Sequence, residues 1–349
     1  MMDIIRRACT VIFGMTLLLS CVKEGKTIYV EIDEDDEDRD MVFFVSKKGS
    51  LGDIGYVDAL YRGVVKGANT YNLMVSLVEL PTDTTKIIST LEYMLDYMQN
   101  EKKDRKALVV IANDNLEPLL HKYSSVLTKA SNVDFLLCES SDTTLPIHTL
   151  RIKQYGAYYL AGRMVGEGLS DVDSVLIVNA NPNEAGLAEM REGFTQAIED
   201  SGAKVCIENT YLSETSGGYD QASYVYQRSY EIDKKYDLVI PLCGGTAQGF
   251  FRYNRENADS FYTVGVDTDM QLYSPRVPFS VVKSLDKVLE DWMSHWWIKD
   301  QQVPGHTVIS LASGNTGIIV ADSYKAQLDK VAEKYYQTAI EKEENHEKK

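Results

Sequence analysis

The sequence predicts an α/β protein built as two doubly wound parallel-sheet lobes that face each other across a cleft. Three observations predict it. From residue 41 onward, short continuous apolar runs alternate with segments of helical period, the pattern of a parallel sheet covered on both faces by helices. The alternation fills roughly a hundred residues and then begins again. Third, residues 236–269, YDLVIPLCGGTAQGFFRYNRENADSFYTVGVDTD, read as strand, tight glycine turn, helix and strand, with Asp267 at the carboxyl end of the second strand. Open α/β sheets hold ligands outside the carboxyl ends of their strands, where glycines admit close approach and helix-opening amides donate. Gly244, Gly245, Thr246 and Asp267 are expected to wall one ligand site. The alternative is that the glycines serve only the turn and Asp267 is a solvated loop residue.

In chain order, Arg6 and Arg7 precede an apolar stretch, residues 8–19, and then Ser20 and Cys21. A basic segment followed by a short apolar one is a secretory signal, too short to span a bilayer. Leu18-Leu19-Ser20-Cys21 resembles the lipobox of bacterial lipoproteins, which implies a signal over 1–20 and lipid on Cys21; the alternative is a plain signal with an incidental cysteine. Residues 31–40, EIDEDDEDRD, hold eight acids and one arginine. Such a run repels itself and extends, so 21–40 reads as an acidic tether. It lacks the glycine and ligand spacing of a calcium loop.

MVFFV (41–45) reads as a buried strand. A helix follows over 56–71, then the strand LMVSLVEL (73–80). Thr82 and Asp83 are capping residues ahead of an apolar stripe from Ile87 to Met98. ALVVI (107–111) is a strand, 115–128 a helix with Pro118 in its first turn, and DFLLC (134–138) a strand. The second half repeats the scheme, with helices over 154–168, 183–200 and 219–232 and strands at SVLIV (174–178) and AKVCIENTYL (203–212). Beyond Asp267 come a short strand over 277–282 and a helical stripe containing Trp292 and Trp296, read as core. Strands HTVISLA (306–312) and TGIIVA (316–321) precede a last helix over 324–342. Late strands separated from both halves suggest a chain that crosses between lobes more than once. The expected division is 41–148 plus about 270–305 for the amino-terminal lobe and 149–269 plus about 306–325 for the other. A carboxyl-terminal helix and charged tail take 326–349.

The composition limits the chemistry. A net charge of −16 argues against nucleic acid and anionic membrane surfaces as partners. Beyond Cys9 and Cys21, Cys138, Cys206 and Cys243 lie in or beside apolar runs without a C-x-x-C pair, so they read as buried free thiols and indicate neither disulfide nor zinc site. GGTAQG lacks the lysine of a phosphate-binding loop, no nucleophile elbow occurs, and the five histidines form no metal or catalytic motif. No cofactor is expected.

Several of these motifs together resemble the basic membrane protein family of bacterial lipoproteins. Gln154 to Gly162, QYGAYYLAG, is similar to that family's helix ending in aromatic-Leu-Ala-Gly. Cys243-Gly244-Gly245-Thr246 is similar to its A-G-G-T/S turn, Val264 to Asp267 to its G-V-D, and Val281-Val282-Lys283 to its strand ending in lysine. Gly217-Gly218-Tyr219-Asp220 falls where the family opens a helix with glycine, an aromatic and aspartate, and Asp53 and Tyr56 fall on the D and F of D-x-S-F-N. The resemblance implies a type I periplasmic-binding fold and a receptor that delivers a nucleoside-like molecule to an ABC transporter permease. It implies ribose hydroxyls on Asp267, a base stacked between Tyr219 and Tyr56, Lys283 in the cleft, and Asn113 where the family often carries an aromatic after its third strand. Departures are Gly55 for serine, Val57 for asparagine and Ala112 for glycine. Stacking at about 1–3 kcal/mol per ring face and charged hydrogen bonds at about 1.5–3 kcal/mol each bring micromolar affinity within reach. The other readings are a ligand-sensing subunit of a signalling receptor, and a nucleoside or glycan hydrolase working through dispersed carboxylates.

Overall fold

The computed structural model describes residues 28–29, 39–81, 83–112, 116–215, 217–298, 304–346 and 348. The expected signal, Cys21, most of the acidic tether, Thr82 and Asn113 lie outside them. The first half runs β1 (Ile28–Tyr29), β2 (Met41–Lys47), α1 (Tyr56–Tyr71), β3 (Met74–Leu80), α2 (Thr84–Asn100), β4 (Ala107–Ile111), α3 (Glu117–Lys122), α4 (Ser124–Leu127), β5 (Val133–Cys138) and β6 (His148–Ile152). The second runs α5 (Tyr155–Gly168), β7 (Ser174–Asn179), α6 (Ala185–Ser201), β8 (Cys206–Tyr211), α7 (Ala222–Ile232), β9 (Leu238–Leu242), a 3-10 turn (Gly244–Ala247) and α8 (Gln248–Glu256). Then follow β10 (Tyr262–Thr263), β11 (Gly265–Asp267), β12 (Phe279–Lys283), α9 (Leu285–Trp297), β13 (His306–Ile309), β14 (Thr316–Val320) and α10 (Lys325–His346). No described helix is long and apolar enough to cross a membrane.

Two parallel sheets carry the two lobes. The first has the order β1-β3-β2-β4-β5-β6-β13, parallel throughout except for β1. The second, β10-β9-β7-β8, is wholly parallel. A third sheet, β11-β12-β14, joins β12 in parallel to β11 and antiparallel to β14. The continuous apolar runs follow from burial on both faces. Met41, Phe43 and Val45 of β2 pack with Leu91, Leu95 and Met98 of α2, whereas Val42 and Phe44 face Leu60 of α1 and Trp292 and Trp296 of α9. Both tryptophans are core residues, as expected.

The small residues of α5 let it lie against α6 at backbone distance. A Cβ at Gly193 would stand 2.4 Å from the Tyr155 carbonyl oxygen, and one at Gly162 would stand 2.5 Å from that of Phe194. The carboxyl-terminal α10 docks on the same helix. There Glu343, buried, accepts from the amides of Gly156 at 3.0 Å and Leu311 at 3.3 Å, and burial pushes its carboxyl up.

Several expectations are corrected. The helix expected over 115–128 is two short ones, broken at Tyr123, and the run 261–266 bends at Val264 into β10 and β11, which belong to different sheets. Strand β6, HTLRI, carries polar residues at alternate positions and did not read as a strand. It pairs with β5 and β13 in the first sheet, so 149–152 and 306–309 sit there and not in the second lobe. Strand β12, expected with the first lobe, pairs with β11 and β14 instead. Cys138 and Cys243 are buried, but Cys206 is exposed, because β8 is an edge strand.

Candidate functional site

Each lobe's sheet reverses its strand order once, between β2 and β4 in the first and between β7 and β9 in the second. Crevices open outside the carboxyl ends of strands at such reversals. A cavity of about 450 Å³ lies there, lined from both lobes. Lys47 ends β2, Lys48, Asp53 and Tyr56 come after it, Ala112 follows β4 and Glu139 follows β5. From the other side come Glu184, the 217–220 turn, Gly244 and Gly245, Asp267 ending β11, and Lys283 ending β12.

Asp267 is 7% exposed and sits at φ +70°, a conformation that aspartate tolerates better than most residues. Parallel register places it beside Val282, one residue before Lys283, and its Oδ1 lies 2.7 Å from the Lys283 ammonium. Lys283 is buried, with Glu139 Oε1 at 3.8 Å and the Tyr56 ring centre at 5.5 Å. Burial opposes the charge on Lys283, but Asp267 and Glu139 outweigh it and hold the ammonium's pKa above the usual lysine value. The other carboxylate oxygen of Asp267 faces the opposite lobe, where a Cβ on Gly55 would stand 3.2 Å away.

The edge of the Tyr219 ring abuts the glycine turn. Gly244, at φ +50°, takes a conformation that suits glycine, and a Cβ there would meet the ring at 3.0 Å. The Tyr219 hydroxyl donates to the Glu184 carboxylate. Gly245 faces the other lobe, where a Cβ on it would stand 3.5 Å from the Asp53 Cα. Thr246 is corrected: it is fully buried and off the cavity wall. Its hydroxyl accepts from the Gln221 amide at 2.7 Å and donates to the Gly218 carbonyl at 2.8 Å, so it ties the glycine turn to the segment that presents Tyr219.

Asp53 is chiefly a cap. Its carboxylate accepts from the amides of Gly55 at 2.9 Å, Val57 at 2.9 Å and Asp58 at 3.2 Å, fixing the start of α1 and thereby Tyr56. Burial between the lobes pushes its carboxyl up to about 6 against those three donors, with the Asp267 charge adding to the rise. The lobes also touch directly. Gln248 Nε2 donates to the Gly52 carbonyl at 2.8 Å, and the Thr268 hydroxyl donates to the Ile54 carbonyl at 2.9 Å. Ile54 is held at φ +55° while its side chain packs against the core of the second lobe.

The structure thus brings Asp53, Tyr56, Tyr219, Gly244, Gly245, Asp267 and Lys283 to one cavity. The sequence reading missed Glu139, Glu184, Lys47 and Lys48 on the same wall. Position at or directly after the carboxyl ends of β2 and β5 was the signal for Lys47, Lys48 and Glu139. For Glu184 there was none, since only folding brings it to Tyr219.

A profile of the Bmp family, described as "ABC transporter substrate-binding protein PnrA-like", matches residues 41–348. No curated protein sequence matches the chain. Among solved structures, the chain is similar to a solute-binding protein of an ABC transporter system from Aeropyrum pernix K1, at 15% identity and a TM-score of 0.67, over 88% of this chain and 86% of that one. It is also similar to a transcriptional activator of the comK gene from Bacillus halodurans, at 16% identity and a TM-score of 0.63, over 85% and 98%. A third is a periplasmic solute-binding protein of an ABC transporter from Actinobacillus succinogenes 130z with bound D-allose, at 13% identity and a TM-score of 0.60, over 82% and 99%. At these identities the likeness carries the fold alone.

Proposed function

The chain belongs to the PnrA-like family of ABC transporter substrate-binding proteins, and on that premise we propose that it is a lipid-anchored receptor that captures a nucleoside-like molecule between its lobes and delivers it to an ABC transporter permease. The observation that carries the reading is the Asp267 carboxylate, fixed by Lys283 on the wall of a cavity that Tyr56 and Tyr219 also line. Both carboxylate oxygens keep lone pairs, so a vicinal diol can donate to them. The Tyr219 and Tyr56 rings offer faces to a planar base. The volume is in the usual range for small-molecule sites.

The described lining supplies carboxylates, ammonium groups and rings but no histidine, and burial pushes the Cys243 thiol far up, away from a reactive thiolate. Calorimetric titration with guanosine, inosine, adenosine, uridine and simple sugars tests the proposal. At least one is expected to bind, Asp267→Asn to weaken it at least about tenfold, and Tyr219→Phe to stay within a few-fold because the ring remains. Folded protein that ignores the whole panel overturns the ligand class. Release of base from any nucleoside would point to the hydrolase reading.

Anchoring is read from Leu18 to Cys21. Cys21→Ser is expected to move the protein from the membrane to the soluble envelope fraction; unchanged membrane association counts against lipid at that residue. Permease and ATPase genes beside this one would fit delivery, and a receptor-kinase gene would fit the sensing reading.

A further inference from the structure

Outside the cleft wall, three side chains of the first lobe with metal-ligating atoms converge. Glu117 and His121 stand one turn apart on α3, after β4, and Asp142 lies in the loop after β5. One ligand-competent atom from each lies within 4.8 Å of the other two. Among the described residues, His121 is the only basic group paired with either carboxylate, through Nε2 to Asp142 Oδ2. Two carboxylates brought together against a single imidazole leave a local excess of negative charge.

We infer that Glu117, His121 and Asp142 form a binding site for one transition-metal dication of the zinc class. The donor set is one imidazole nitrogen and two carboxylate oxygens, a mixture that suits zinc and its first-row neighbours. Calcium and magnesium prefer oxygen alone. Tetrahedral coordination at about 2.0–2.2 Å puts ligand atoms about 3.4 Å apart, so an ion would part the directly bonded His121 and Asp142 and draw Glu117 in, by side-chain rotation.

The carboxylates are already oriented from outside. The Ser140 hydroxyl donates to Glu117 Oε2 at 2.5 Å. The amides of Thr144 and Leu145 and the Thr144 hydroxyl, at 2.5, 2.9 and 2.9 Å, all hold Asp142 Oδ1, leaving Oδ2 turned to the cluster. Such outer partners orient ligands in metal sites. Water would complete the shell, since His121 is exposed. Ser140 adjoins Glu139 of the cavity wall, so an ion here would also brace the loop that presents Glu139.

The experiment uses the full chain, stripped with chelator and dialysed, titrated calorimetrically with zinc chloride and separately with calcium chloride. One saturable zinc site is expected, lost in His121→Ala and weakened at least tenfold in Asp142→Asn, with the metal-free melting curves of both variants close to that of the parent. Zinc should raise the melting temperature of the parent and not of His121→Ala. Calcium heats should be the same in parent and His121→Ala, because the acidic run at 31–40 is present in both. Superposable zinc isotherms for parent and His121→Ala, or no saturable zinc site in the parent, overturn the inference.

Discussion

Asp53 and Asp267 face each other across the cleft and are neutralised differently. Asp267 is paired directly with Lys283, whereas Asp53 is held by three backbone amides, feels Lys283 only at longer range, and is half-buried in the cleft. The Asp53 carboxyl stands at about 6 against an ordinary 3.8, so the folded, closed state favours the protonated acid. The sign follows: its contribution to stability is fully present below about pH 4, is lost as pH rises through about 6, and stays lost above. Asp53→Asn keeps an acceptor for the cap and removes the titration. The melting temperature of the parent relative to Asp53→Asn is therefore expected to be more favourable at about pH 4.5 than at about pH 7.5. A difference that does not move with pH would show that Asp53 is not buried as described. The pairing at Asp267 also decides which variant is informative. Alanine there would strand a buried lysine, at about 3–5 kcal/mol, and would sit poorly at φ +70°, whereas asparagine tolerates that backbone.

Among the elements, α5 and α6 show how a run of small residues becomes geometry. Their glycines bring the helices to within contact of each other's carbonyl oxygens. Gly193→Ala must push its Cβ off a rigid backbone oxygen at 2.4 Å, so a loss of about 1–3 kcal/mol is expected by chemical denaturation. An unchanged midpoint would mean that the two helices pack more loosely. QYGAYYLAG thus carries a physical meaning in the sequence itself: only a helix with small residues on one face can approach this closely. The polar strand β6 had no such signature. It is held by strand pairing, with the preceding β5 on one side and with β13, far along the chain, on the other.

For the whole molecule, the cleft is closed by contacts that lie off the cavity wall as well as by those on it. Thr268 binds the carbonyl of Ile54, a β-branched residue held at positive φ, a conformation that costs about 1–3 kcal/mol and persists only where surroundings impose it. Thr268→Val removes that bond without touching the cavity lining. It is expected to shift the ligand-free protein toward a more open form, with a larger radius of gyration by X-ray scattering, and to lower ligand affinity several-fold. Saturating ligand should restore the compact form. Identical scattering from parent and variant, without ligand, would show that this bond has no part in closure.

Local order was legible because it rests on local physics. Continuous apolar runs meant strands buried on both faces, helical period meant covering helices, and a glycine pair between strand and helix meant a turn open to a ligand. The sequence by itself therefore determined the α/β class, the position of the glycine turn and the carboxylate that ends β11. Which strands share a sheet, that Thr246 faces inward, and that Glu184 joins the cavity beside Tyr219 were decided only by tertiary structure. Each depends on contacts between segments distant in the chain, and residues with no periodic relation to one another carry no sign in the sequence that they will meet.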